Sequence, residues 1–211
     1  MADRFDLTMF LDLLGTFAFA ISGIRLASSK DFDWFGAYVV GLVTAIGGGT
    51  LRDLLLGVPP FWLHDPRYVL TTAVAMLVFV LFKDRSFRWG HALFLFDAIG
   101  LGLFTITGIA KSLDAGLPMW TCIMMGAISG SVGGVLRDVL INEVPLIFRK
   151  DLYAIASILG GIAYFAALQF EALHAFDEII AAVTVILIRV LAVRFHLRLP
   201  KLKVNHTDQE E

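Results

Sequence analysis

Charge is scarce in this sequence. Asp, Glu, Lys and Arg make up 17% of the 211 residues, where a soluble domain carries about a quarter. Hydrophobic residues reach 58% and the mean hydropathy is +0.79. So few charges cannot cover a water-soluble fold of this length, which leaves a multi-span membrane protein with no extramembrane domain. Cysteine is nearly absent too: Cys122 alone excludes an internal disulfide and a cysteine-built zinc or iron–sulfur site. The five histidines show neither HxxxH nor HExxH spacing, and no nucleophile–base constellation stands out, so neither metal catalysis nor any other enzyme reading has support. No cofactor and no nucleic-acid partner is expected. No removable signal peptide is expected either. Asp3-Arg4-Phe5-Asp6 leads into the first apolar run without a small-residue cleavage site, so that run is expected to be the first span.

What is present is a series of seven apolar runs, at roughly 7–27, 34–56, 67–82, 91–110, 117–141, 151–170 and 176–194. They are continuous, and the alternating ten-residue strands of a barrel are absent, so the expected fold is an all-α integral membrane protein with seven transmembrane helices. The third run is short for a span and must borrow from its flanks. Turn formers separate the runs: Ser28-Ser29-Lys30-Asp31, Gly57-Val58-Pro59-Pro60 and Asp114-Ala115-Gly116-Leu117-Pro118.

The chain repeats itself. A shift of 85 residues lays 12–68 on 97–153 without a gap, with 15 of 57 positions identical. Glycines and charges dominate the matches: Asp12, Gly15, Phe19 and Gly23 fall on Asp97, Gly100, Phe104 and Gly108, while Gly48, Gly49, Arg52 and Asp53 fall on Gly133, Gly134, Arg137 and Asp138. Each copy holds three spans, an odd number, so the second enters the membrane from the opposite side. The expected plan is a repeat at 7–82, an inverted repeat at 91–170, a seventh helix at 176–194 and a cytoplasmic tail at 195–211, its end polar and disordered. Inverted repeats are the usual ground plan of transport proteins, with the path where the repeats meet.

Two elements carry candidate chemistry. Span two contains Gly47, Gly48, Gly49 and Thr50 before Arg52-Asp53; span five contains Ser129, Ser131, Gly133 and Gly134 before Arg137-Asp138. Consecutive glycines weaken a helix by about 1 kcal/mol each, so both spans are expected to kink there and turn carbonyls toward a hydrated path. The competing reading is close helix packing, since Gly41, Ala45 and Gly49, and Gly126, Gly130 and Gly134, form small-xxx-small faces. An ionisable group within a span normally faces a cavity or partner. Adjacent residues diverge by about 100° on a helix, so each Arg and each Asp is expected to need its own partner. Asp12 and Asp97 are candidate cation-attracting groups. Arg189, alone near the end of span seven, is expected to snorkel to the headgroups.

The doubled Gly-Gly-x-x-Arg-Asp element resembles the prokaryotic branch of the trimeric intracellular cation (TRIC) channels, over essentially 7–194. The resemblance implies a homotrimer in the inner (plasma) membrane, in contact with membrane lipids. It implies one pore per protomer, lined by kinked spans two and five and gated at Gly47–Gly49 and Gly133–Gly134. It also implies monovalent cations as permeant species, chiefly potassium, with sodium a further candidate. Eukaryotic members bind an inositol lipid through a Lys-Glu-Val element, which neither Arg52-Asp53-Leu54 nor Arg137-Asp138-Val139 matches. The same bacterial domain also goes by the description of a glycine transporter. A carrier for glycine or another small zwitterion is therefore the alternative, although no dedicated carboxylate site stands out in the sequence.

Orientation follows from the basic residues flanking the spans. With the N-terminus outside, Arg25, Lys30, Lys83, Arg85, Arg88, Arg149, Lys150, Arg194, Arg198, Lys201 and Lys203 lie inside, and only Arg4, Arg67 and Lys111 outside. A cysteine placed before the first span, in a Cys122→Ala background, is expected to react with an impermeant maleimide from the outer face only; labelling from the cytoplasmic face alone reverses the assignment.

Overall fold

The computed structural model describes residues 2–82, 89–149, 152–171 and 176–197. Every described element is helical: α1 (Ala2–Ser28), α2 (Trp34–Leu55), α3 (Arg67–Phe82), α4 (Trp89–Asp114), α5 (Met119–Leu140), a single turn α6 (Leu146–Arg149), α7 (Tyr153–Ala167) and α8 (Asp177–Arg194), with a 3-10 turn at Phe61–Leu63. Four of them hold stretches long and apolar enough to cross a membrane: Met9–Ser28, Trp34–Leu55, Leu93–Asp114 and Met119–Leu140. α3 and α7 are apolar but shorter, and α8 carries Asp177, Glu178, Arg189 and Arg194. Lys111, counted above with the loops, lies in the last turn of α4, and Arg25 in that of α1. Of the basic tally, Lys83, Arg85, Arg88, Lys150, Arg198, Lys201 and Lys203 lie outside the described residues, as does the tail at 205–211.

The centre is built from α1, α2, α4 and α5. α1 packs on α4 and α2, α5 on α4 and α2, and α8 closes against α7 and α4. Glycines set the spacing, as small residues do between helices in lipid, where no hydrophobic force draws helices together. The Phe19 and Phe104 rings stack with centroids 5.4 Å apart. Each ring also lies against a glycine of the other helix, Phe19 on Gly100 and Phe104 on Gly15. Residue 15 opposite 104 and 19 opposite 100 means that α1 and α4 run antiparallel. The α2–α5 contact repeats this logic, with Gly48 against the Ser129 carbonyl and Gly133 against the Thr44 carbonyl. Each of these contacts becomes the other under the 85-residue shift.

The turns repeat as well. Gly57 ends α2 with φ +72 and Asn142 ends α5 with φ +57; Asp31 and Gly116 follow α1 and α4 with φ +58 and +74. Each pair is one repeat position, filled once by glycine and once by Asn or Asp, which tolerate left-handed backbone best among the rest. Val58 N–H and Glu143 N–H each reach back five residues, to the Asp53 and Asp138 carbonyls, closing both helix ends alike.

α2 and α5 continue as unbroken helix through Gly47–Gly49 and Gly133–Gly134. At these points the glycines bring the two helices into contact. In an apolar surrounding an opened backbone group has no partner, so an intact ladder with close packing is the cheaper arrangement. Gly48→Ala and Gly133→Ala each push a methyl into a facing carbonyl and are expected to destabilise the fold by about 1–3 kcal/mol. A Cβ at Gly116 meets nothing within 4 Å, so Gly116→Ala is expected to cost only its backbone strain, about 1–2 kcal/mol. Thermal unfolding in detergent, with Gly116→Asn as the strain-tolerant control, checks the contrast.

Candidate functional site

The Arg-Asp elements sit at the C-terminal ends of the antiparallel helices α2 and α5, and hence at opposite ends of their contact. Arg52 and Arg137 are 0% and 2% exposed. Contrary to the expectation from helix geometry, each arginine does pair with the aspartate beside it. Arg52 Nε donates to Asp53 Oδ1 at 2.8 Å, and Arg137 Nε to Asp138 Oδ1 at 2.9 Å. The arginine side chain is long enough to fold back across the 100° that separates the two positions. The second carboxylate oxygen has a structural use that the motif did not reveal. Asp53 Oδ2 accepts from Phe61 N–H at 2.8 Å, and Asp138 Oδ2 from Leu146 N–H at 2.9 Å. Both acceptors lie eight residues before their donors, so each Asp ties its arginine to the helical turn after the loop.

The outer tips of the two guanidinium groups meet different surroundings. Arg52 Nη1 donates to Ser129 Oγ at 3.3 Å, and its Cζ lies 5.4 Å from the Phe61 ring centroid. Lys111 approaches the same ring at 5.0 Å and Asp12 Oδ2 at 3.6 Å. Arg137 Nη1 donates at 2.6 Å to both Ser22 Oγ and Asp97 Oδ1. Tyr153 O–H donates to that same Asp97 oxygen at 3.4 Å. Asp12 and Asp97 are therefore both buried and both matched to a cation of the protein itself. Neighbouring helices supply what the pairs need: Ser22 and Asp12 from α1, Asp97 and Lys111 from α4, Ser129 from α5.

The remaining candidate hydroxyls divide. Thr50 donates to the Ile46 carbonyl at 2.8 Å while accepting from Trp62 Nε1 at 3.0 Å, and Ser131 donates to the Ala127 carbonyl at 2.6 Å. The two donated bonds close on their own helix, as hydroxyls in spans commonly do, while Trp62 reaches Thr50 from the 3-10 turn. Ser129 alone among the candidates receives an arginine. Gly47 faces Leu136, Gly49 faces the Phe61 ring and Gly134 faces the Tyr153 hydroxyl, so all three glycines make room for side chains of the clusters and their surroundings.

Arg189 departs from expectation. It does not snorkel: it is 2% exposed, with Cζ 4.6 Å from the Tyr153 ring centroid and 5.2 Å from that of Phe94. Its Nη2 lies 3.8 Å from Asp97 Oδ2. Its sequence signal was an arginine set inside an apolar run, five residues before the end of α8, which the fold turns inward. Beside it is a cavity of about 300 Å³, walled by Leu93, Phe94 and Leu146 and by the Arg137 cluster, with Lys30 and Glu143 paired at 2.6 Å on its exposed rim. Among the described residues no group of His, Cys, Asp and Glu could hold a metal ion.

Comparison with known proteins places this geometry. A family model described as Glycine transporter matches the chain twice, over 9–84 and 94–169. The UPF0126 inner membrane protein YadS of Escherichia coli K12 is 41% identical over 199 residues, covering 92% of this chain and 95% of that protein. The TRIC trimeric intracellular cation channel orthologue from Rhodobacter sphaeroides superposes with a TM-score of 0.84 at 34% identity, over 90% of this chain and 99% of that one. A prokaryotic TRIC channel solved in 0.5 M KCl superposes equally well, at 0.84, with 30% identity over 92% of this chain and 100% of that one. The double match to one family model and the near full-length likeness to these proteins establish that this multi-pass membrane protein belongs to the family that unites the UPF0126 membrane proteins with the prokaryotic TRIC channels, the family whose model bears the description glycine transporter.

Proposed function

We propose that this protein is a homotrimeric cation channel of the inner membrane, with potassium as its chief permeant ion and one path per protomer along α2 and α5. The observation that carries the reading is the pair of buried arginine clusters at opposite ends of one antiparallel helix contact, within a fold that closely matches solved cation channels. The corresponding membrane arrangement has seven crossings, α1 to α5 with α7 and α8, as two inverted halves and an added helix. The N-terminus lies outside and the C-terminus in the cytoplasm.

The chemistry follows from the charges. A guanidinium on the path repels a cation, so Arg52 and Arg137 act as plugs, each held shut by its aspartate and a hydroxyl. Between them Gly48 and Gly133 hold the helices in contact, which is a closed arrangement. Opening requires α2 and α5 to bend apart at the glycines and the arginines to swing aside, and Asp12 and Asp97 then remain to attract cations. Moving one full charge through the membrane field is worth about 2.3 kcal/mol per 100 mV, so partial movement of Arg137 makes gating voltage-dependent.

Two measurements test this. Liposomes holding the pure protein are expected to pass potassium down its gradient; glycine flux without potassium flux overturns the channel in favour of a carrier. In planar bilayers Arg137→Ala is expected to raise conductance or open probability several-fold and to flatten voltage dependence. Removing one partner of a buried pair costs about 3–5 kcal/mol, so folding is checked by size-exclusion chromatography, and Arg137→Lys keeps the charge where Arg137→Ala does not fold. Wild-type currents in a folded Arg137→Ala variant place the path elsewhere.

A further inference from the structure

Arg189 belongs to neither repeat, and the channel reading does not use it. Its guanidinium carbon lies over the Tyr153 ring at 4.6 Å and the Phe94 ring at 5.2 Å, contacts that leave its in-plane N–H groups in need of acceptors. Nη2 stands 3.8 Å from Asp97 Oδ2, beyond hydrogen-bond reach, and Nε and Nη1 are buried with no acceptor. A buried donor left unpaired costs about 1–3 kcal/mol, and more when it is charged. The residue lines the cavity of about 300 Å³, so a place for an acceptor exists beside it.

The other charges around the cavity are already matched. Lys30 pairs with Glu143, Arg137 with Asp97 and Asp138, and the second Asp138 oxygen accepts from Leu146 N–H. What the site lacks is acceptors in the plane of Arg189. A phosphate brings two charges and a tetrahedral shape to a lining whose three cations and three carboxylates already balance. A carboxylate brings one charge and two coplanar oxygens, the natural complement of a guanidinium edge. We infer that this cavity binds the carboxylate group of a small molecule on Arg189. Two sources share that chemistry. One is a simple monocarboxylate; the other is a small amino acid, whose ammonium group would meet Asp97 Oδ2, itself buried without a hydrogen-bond partner.

The test is thermal unfolding of the purified protein in detergent, titrated with acetate, glycine, methylammonium or inorganic phosphate at constant potassium and ionic strength. A ligand of the native state raises the melting temperature in step with its concentration. Acetate or glycine is expected to do so saturably. Arg189→Lys, which keeps the charge and loses the fork, is expected to weaken the effect by about tenfold or more. Val144→Trp is expected to do the same by filling the rim, where Val144 is half exposed and outside the buried charge network; it decides alone if Arg189→Lys does not fold. Glycine acting at lower concentration than acetate identifies the amino-acid source, and the reverse the simple carboxylate. No response to either, a response to phosphate or methylammonium alone, or carboxylate binding unchanged in the variants overturns the site. The titration needs no ion flux, so its failure leaves the channel reading standing, and failed potassium flux leaves the site standing.

Discussion

Arg52 and Arg137 are held away from water in a fold made mostly of aliphatic side chains, and each must find every partner it needs within the protein. Around that demand the ends of the bundle are arranged. The adjacent aspartate supplies one oxygen to Nε and the other to the backbone of the following turn, so the loop after α2 or α5 is anchored to the same ion pair that holds the arginine. The hydroxyls and carboxylates that add to the shell come from helices brought within reach by glycine contacts. Without the close approach of α1, α4 and α5, Ser22, Asp97 and Ser129 would stand too far away.

The two ends are related by duplication and have diverged in what they do with it. Both keep the arginine, the aspartate and the backbone tie. At one end the second cation is Lys111, about a third exposed and leaning over Phe61 toward Asp12. At the other it is Arg189, fully buried between two rings and approaching Asp97. Neither second cation has a basic counterpart in the other half: Lys111 aligns with Leu26, and Arg189 lies outside the repeat. The helix that lies outside the repeat, α8, therefore breaks the symmetry of the bundle at the end where the Arg189 cavity lies. The symmetric scaffold ends in two unequal charge clusters.

Much of this was legible in the letters. The all-helical membrane class followed from the scarcity of charge, because a surface facing lipid needs none. The duplication was visible in glycine, aspartate and arginine rather than in interchangeable aliphatics, because several of those residues occupy positions with no room for another side chain: Gly48 under a carbonyl and Gly100 under a ring. The Arg-Asp elements stood out because an ionised group in an apolar helix is costly.

Other features depended on distances across the chain. Whether the glycines open a helix or join two of them could not be read along one helix, since both outcomes use the same residues; the facing carbonyls of Ser129 and Thr44 come from sequence positions some 80 to 90 residues away. The pairing of Arg52 with Asp53 was hidden because helix geometry places backbone directions, while the length of the arginine side chain decides where its charge ends up. Arg189 looked like a membrane anchor from its place near a helix end, and only the packing of α8 on α4 and α7 turns it between Phe94 and Tyr153. The sequence by itself determined the class of fold, its doubling and which charges had to be accounted for, because burial in lipid penalises each residue where it stands. Which charge meets which partner was decided by the tertiary structure, because an ion pair is a property of two positions that the chain brings together only when it folds.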